Sequence, residues 1–188
     1  VKKEASGKAL LVMISGFLVL TGCLFSPEPD DNPPPPPPYY SPADSAWKVV
    51  FNLQLAYVNR DHDHYMQCFR DDFEFHLLEQ DWDDYNGDGI IDTYWGLDTE
   101  DEFHEAMFNG VEQIELTFTG NMMYPYPGDP TGESWSLPRT FDLKVYTSIG
   151  GSGGVTGYRA SGDALFICRV DSASGEWYIW QWYDESEI

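Results

Sequence analysis

The densest chemistry in this 188-residue sequence lies in Asp84-Tyr85-Asn86-Gly87-Asp88-Gly89-Ile90-Ile91-Asp92. Counted from Asp84, side-chain oxygens fall at the first, third, fifth and ninth positions, on Asp84, Asn86, Asp88 and Asp92. Gly89 occupies the sixth position, where the chain must turn sharply, and Ile90 at the seventh offers its backbone carbonyl. Such a set suits calcium, a hard cation that takes about six to eight oxygens from a flexible loop. Magnesium fits worse, because it sheds water reluctantly and needs stricter geometry. Trp95 stands at the twelfth position, where an acid would close the shell, so Asp81, Asp98, Glu100 or Asp101 would have to complete it from outside. Asp71 to Pro138 holds 18 acids and no lysine or arginine, so a solvated acidic turn is the competing account. A site here would be weak, about 10⁻⁴ to 10⁻³ M, and structural, ordering a connection by neutralising crowded carboxylates.

Other residues have chemical types but weaker spacing. Glu74 and His76 share one face of a short strand, opposite Phe73 and Phe75. His62 and His64 alternate with Asp61 and Asp63, yet residues two apart do not face one another on a helix, so a capping turn accounts for them better than a metal. Cys68 and Cys168 both lie in apolar patterns, leaving open a disulfide or two separate buried thiols. There is no serine-nucleophile motif and no phosphate-binding glycine loop. Gly150-Gly151-Ser152-Gly153-Gly154 reads as a flexible strand connection, and no organic cofactor is expected. A net charge of −22 excludes nucleic acid as a partner, since phosphate binding needs a basic face. Enough apolar residues are present, 42% with 16% aromatic, to exclude a wholly disordered chain.

Three segments divide the chain. Residues 1–22 begin with Lys2, Lys3 and Lys8, continue through an apolar run from Ala9 to Leu20, and end before Cys23. The run is too short to span a membrane, which takes about 20 residues, and the order of charge, apolar core and small residues reads as a secretory signal. Leu20-Thr21-Gly22-Cys23 resembles the lipobox of bacterial lipoproteins, which implies cleavage before Cys23 and lipidation of that cysteine. Leu24 after the cysteine resembles the outer-membrane sorting pattern of Gram-negative lipoproteins. Residues 23–41 contain six consecutive prolines, Pro33 to Pro38, and form an extended stalk. Residues 42–188 are the folded domain.

Within it, Ser41-Pro42-Ala43-Asp44 predicts a helix start, and Trp47, Val50, Phe51, Leu55 and Val58 predict an amphipathic helix to about Asn59. Asp61 or Asp63 caps a short second helix carrying Tyr65, Cys68 and Phe69. Phe73 to His76 is a strand. Thr99 and Glu102 form a capping box for a third helix through Phe103, Ala106 and Met107, stopped by Asn109-Gly110. Ile114 to Phe118, Phe141 to Ile149, Leu165 to Val170 and Trp177 to Tyr183 alternate as strands, the last two joined by the six-residue loop Asp171 to Glu176. Tyr124-Pro125-Tyr126-Pro127-Gly128 is an aromatic loop. This order gives an α+β domain with helices packed on a sheet.

That order, with Ala56-Tyr57-Val58-Asn59-Arg60-Asp61, Tyr65, Asp72-Phe73-Glu74-Phe75 and the closing Trp177-Tyr178-Ile179-Trp180, Trp182 and Asp184, resembles the nuclear transport factor 2-like family over about residues 42–188. The resemblance implies three helices on a strongly curved antiparallel sheet, a cystatin-like roll around a cone-shaped apolar pocket. Tyr57, Tyr65, Trp95, Tyr146, Trp180 and Trp182 are then the pocket or partner candidates. It also implies two kinds of function: non-catalytic binding of a small apolar ligand or an envelope protein, or ketosteroid isomerase-like or polyketide cyclase-like chemistry on a small hydrophobic substrate. In the second, an acid near Glu74 or His76 would act as base, with Tyr57 polarising the substrate oxygen. A purely structural envelope protein is a third reading. The acidic loop, for its part, resembles the calcium loops of EF-hand, dockerin and thrombospondin type 3 repeats.

Overall fold

The computed structural model describes residues 40–85, 87–148 and 156–187. The signal segment, Cys23, the proline run, Asn86 and the Gly150–Gly154 connection lie outside the described residues. In chain order the elements are α1 (Ala46–Asn59), α2 (His62–Met66), β1 (Glu74–His76), a 3₁₀ turn (Glu79–Asp81), β2 (Tyr94–Trp95), α3 (Leu97–Gly110), β3 (Gln113–Thr119), β4 (Tyr124–Pro125), β5 (Ser134–Ser148), β6 (Thr156–Val170) and β7 (Trp177–Glu187). Among the described residues no helix is long and apolar enough to cross a membrane.

The three helices lie on one seven-stranded sheet in the order β2-β1-β7-β6-β5-β3, with β4 paired to the start of β5. All pairings are antiparallel except β1 with β7, which run parallel from Glu74↔Gln181 to His76↔Tyr183. Parallel neighbours need a long crossover, and here everything from the acidic loop to β6 supplies it. Bulges between Tyr146 and Ser148 and between Ile167 and Cys168 interrupt the long β5–β6–β7 ladder, and bulges bend and twist a sheet. The β6–β7 hairpin keeps its six-residue loop, closed by Asp171 N–H to the Glu176 carbonyl at 2.8 Å.

β5 and β6 begin seven and nine residues before the expected starts, at Ser134 and Thr156. Cross-strand pairs on the exposed face hold the extended part: Arg159 Nε and Nη2 donate to Asp142 Oδ1 and Oδ2 at 2.9 and 3.1 Å.

α1 packs against β3, β6 and β7. It starts at Ala46, not at the Ser41-Pro42 signal, because Asn52 engages the backbone of Ser41 from within the helix, accepting its N–H at 2.9 Å and donating to its carbonyl at 2.7 Å. Its core face is Val49, Val50, Leu53, Ala56 and Tyr57, whereas Trp47, Phe51 and Val58, expected inside, are exposed. A helix apolar nearly all round does not fix its own rotation. Arg60 ends it in the left-handed region at φ 53°, and Asp61 accepts the His64 N–H at 3.2 Å to cap α2. Fully burying Leu53, Phe73 and Phe166 contributes roughly 1.5–3 kcal/mol each relative to exposure.

Candidate functional site: an apolar cavity with a buried polar end

Between α1, α3 and the sheet lies a cavity of about 280 Å³. Phe75, Leu116, Phe118, Phe141, Leu143 and Trp182 line it from the strands, each at the alternate position its strand turns inward. Tyr57 from α1, His104 from α3 and Asp184 from β7 supply its polar groups.

α3 builds the polar end, and here the helix departs from the sequence reading. It starts at Leu97 after Gly96, two residues ahead of the Thr99–Glu102 capping box, so Glu100 N–H bonds the Gly96 carbonyl at 3.1 Å. The buried stripe is Glu100, His104 and Phe108, while Ala106 is exposed and Phe103, half-exposed, borders the cavity beside Trp95. Two polar residues are tolerated in a core only when their hydrogen bonds are made inside it. Glu100, wholly buried, accepts from the Tyr65 hydroxyl on Oε1 and from the Trp95 indole N–H on Oε2 at 2.6 Å.

His104 Nδ1 lies 3.1 Å from the Glu100 carbonyl and 3.2 Å from Glu100 Oε1, both acceptors, so Nδ1 carries the proton. Nε2 is then an acceptor, 3.2 Å from the Tyr57 hydroxyl and 3.1 Å from that of Tyr65. Because Tyr65 donates to Glu100, Tyr57 is the donor to Nε2. Burial lowers the His104 pKa from its ordinary value, against the opposing pull of Glu100, and so favours the neutral ring. Burial, Glu100 and Asp184 together hold the Tyr57 phenol well above its ordinary range, and burial and Glu100 do the same for Tyr65. The corner therefore presents neutral hydrogen-bonding groups at the end of an apolar chamber. The Trp182 indole N–H, enclosed by protein, has no acceptor among the described residues.

The sequence candidates divide. Tyr57, Trp95 and Trp182 line the cavity; Trp95 stacks on Phe75 with ring centroids 4.5 Å apart. Tyr65 stands behind the wall, bonded to Glu100. Tyr146 lies off the cavity, beside Glu115 and Lys144, and so does Trp180, under the Arg169 guanidinium at 3.5 Å and against Tyr126. Glu74 and His76 are turned away from the cavity, since strand alternation puts Phe75 on the inner face; they bond each other at 3.0 Å, and Glu74 accepts from Gln181 at 2.7 Å. Cys68 and Cys168 are free, buried thiols, and burial pushes Cys68 up to about 12. His62 pairs with Asp101 at 2.9 Å and His64 with Asp61 at 2.9 Å. The polar pair Glu100–His104 carried a signal that sequence reading passed over: polar residues at i and i+4, followed by Phe108, trace one helix face.

In the acidic loop Gly89 takes φ +86° at the sixth position. Asp84 accepts the N–H groups of Asp88 and Gly89 at 3.0 and 2.8 Å, and Asp92 accepts that of Tyr85 at 3.1 Å. The loop is thus wound so that the ninth position meets the second. Among the described residues no three His, Cys, Asp or Glu side chains converge to hold a metal. Trp95 is committed to the cavity wall and Glu100 to Trp95, so neither completes a shell at the loop.

No family profile matches the chain, and no curated protein matches it. Solved structures do. A conserved protein from Planctomyces limnophilus is 17% identical with a TM-score of 0.56, over 75% of this chain and 92% of that one. A protein of Novosphingobium aromaticivorans named for scytalone dehydratase is 8% identical with a TM-score of 0.56, over 76% and 81%. An uncharacterised protein with a cystatin-like fold from Caulobacter vibrioides is 10% identical with a TM-score of 0.52, over 77% and 89%. At these identities the likeness is one of fold: an α+β roll of the nuclear transport factor 2-like, cystatin-like class.

Proposed function

We propose that this chain is a lipid-anchored cell-envelope protein, held through Cys23, whose domain binds a small, mostly apolar molecule bearing one oxygen function. The observation that supports this reading is the apolar cavity ending at Tyr57 and His104. A ligand hydroxyl there would donate to the Tyr57 oxygen, whose own proton is given to His104 Nε2. Binding sites of this kind combine apolar walls with a few placed polar groups. The acidic loop would take calcium in a structural role, which the turn at Gly89 supports.

The test is titration of the chain with a neutral fluorescent naphthylamine. Ala160 lines the cavity, and Ala160→Trp should weaken binding by about tenfold or more by filling it. Equal binding by the variant, or none by the parent, would overturn the proposal.

A second reading is an isomerase, cyclase or dehydratase acting on a small hydrophobic substrate. His104 favours it: a neutral imidazole with its Nδ1 proton fixed leaves Nε2 to exchange a proton through Tyr57. This reading requires His104→Gln to abolish turnover while leaving naphthylamine affinity unchanged; the binding reading requires no turnover in the parent.

A further inference from the structure

Arg139 is unusual in so acidic a chain. Arg70, Arg159 and Arg169 each pair with carboxylates, and the exposed Arg60 reaches the Val111 carbonyl at the end of α3. Arg139 is only 9% exposed, yet no carboxylate among the described residues is in ion-pair contact with it. Its side chain makes two hydrogen bonds, both from Nη1, to the backbone carbonyls of Met122 at 3.0 Å and Pro138 at 2.7 Å.

The opposite edge of the guanidinium, Nε and Nη2, is bonded to no described residue. Nor is it enclosed, because Ser45 Oγ and Trp182 Nε1 are the only side-chain polar atoms among the described residues that are both enclosed and unpartnered. This is the edge that presents two parallel N–H donors to a carboxylate, and Arg159 uses it so with Asp142. Three of Arg139's five N–H donors, Nε and both on Nη2, are thus left to water or to an anion, and an anion also neutralises the charge.

Arg139 lines a cleft of about 310 Å³ between α1 and the β3–β4 connection, which shares only Phe118 with the main cavity. The cleft is lined by Trp47, Phe51, Phe118 and Met123, of which Trp47, Phe51 and Met123 are 49%, 45% and 41% exposed. Arg139 also lines a second cleft, which carries Asp163 and Glu185. Asp163 accepts the Thr140 hydroxyl at 2.7 Å, and these two acids disfavour a dianion nearby.

We propose that the Trp47–Phe51–Met123 cleft binds an amphiphilic monocarboxylate such as a medium-chain fatty acid. Its head forms a bidentate pair with Nε and Nη2 of Arg139, and its tail covers the exposed aromatic and methionine side chains. The single positive edge matches one carboxylate, and the apolar lining matches an unbranched tail. Nothing in the proposal depends on the main cavity being occupied.

Calorimetric titration of the full chain with decanoate, and with decanol as the uncharged control, tests it. Decanoate should bind at least about tenfold more tightly than decanol, since a charge-assisted pair is worth about one to two such factors. All arms are read in Ala160→Trp, which closes the main cavity to decanol: there Arg139→Gln should remove that advantage and leave decanol unchanged, Trp47→Glu should weaken both, and decanoate should keep its Arg139-dependent binding. Equal affinity for decanoate and decanol would overturn the proposal. So would decanoate binding that survives Arg139→Gln, or that is lost only in Ala160→Trp. If Arg139→Gln does not fold, the decanoate-to-decanol ratio in Ala160→Trp and Trp47→Glu decide the matter, with Arg139→Lys expected to lose the bidentate part.

Discussion

His104 sits at a point where burial, hydrogen bonding and the polar end of the cavity meet. Its ring is fixed by Glu100 on one side and takes the Tyr57 proton on the other, and burial lowers its pKa. The unfolded chain therefore binds a proton at this residue that the folded chain refuses. Its contribution to stability is complete above the unfolded-state value near 6.5 and declines as pH falls toward the lower folded value, by up to about 1.4 kcal/mol per pH unit. Carboxylates with lowered pKa values, such as Asp129 at about 2, act in a more acidic window. Urea unfolding between pH 8 and 5, approximate limits set by the same reference value, should show this slope in the parent and lose it in His104→Gln. Parallel curves would contradict the tautomer and burial described here.

Two elements respond differently to small changes because of what surrounds their backbones. In β6, a Cβ on Gly157 would stand 2.2 Å from the Val145 carbonyl of β5, so the strands cannot stay in register around it. Gly157→Ala should cost about 1–3 kcal/mol in denaturant unfolding. Gly110, the last residue of α3, has nothing within 4 Å of such a Cβ, so Gly110→Ala should be neutral or slightly stabilising. If both variants match the parent, the β5–β6 approach is looser than it stands here. The acidic loop between β1 and β2 is the other sensitive element. Calcium should raise the thermal midpoint relative to EDTA and do so more than magnesium, and Asp88→Ala should abolish the rise. Identical midpoints in calcium and EDTA would leave the loop a self-bonded acidic turn.

At the scale of the whole molecule, charge and anchoring act together. A chain of net charge −22 is repelled by anionic headgroups, so the proposed attachment would come from a lipid on Cys23 rather than from the domain surface. Cys23→Ser should move the expressed protein from the membrane fraction to the soluble fraction, leaving the domain's thermal midpoint unchanged. Membrane retention of that variant would assign the attachment elsewhere. The fold itself does not choose between binding and catalysis, since folds of this breadth carry both; the contents of the cavity do.

The sequence by itself determined the order of the three helices and of five strands, because alternation in Ile114–Phe118, the cap at Asp61 and the loop Asp171–Glu176 are local signals read by local physics; the two-residue strands β2 and β4 are too short to show such a signal. The resemblance it carried also put Trp95 and Trp182 among the pocket candidates, and the sequence clustered calcium-type oxygens in one loop. Only the tertiary structure decided which side of each element faces inward. α1 is apolar on almost every side, so its rotation was set by the sheet it meets, and Trp47 and Phe51 were left outside. α3 buries Glu100 and His104 because Tyr57 and Tyr65, some forty residues away, and Trp95 satisfy them. No periodicity within α3 contains that information. Glu74 and His76 were lost to the cavity for the converse reason: parallel pairing with β7 fixed Phe75 inward, and period two carried its neighbours out. A buried polar site is defined by partners distant in sequence, and their meeting is what folding adds.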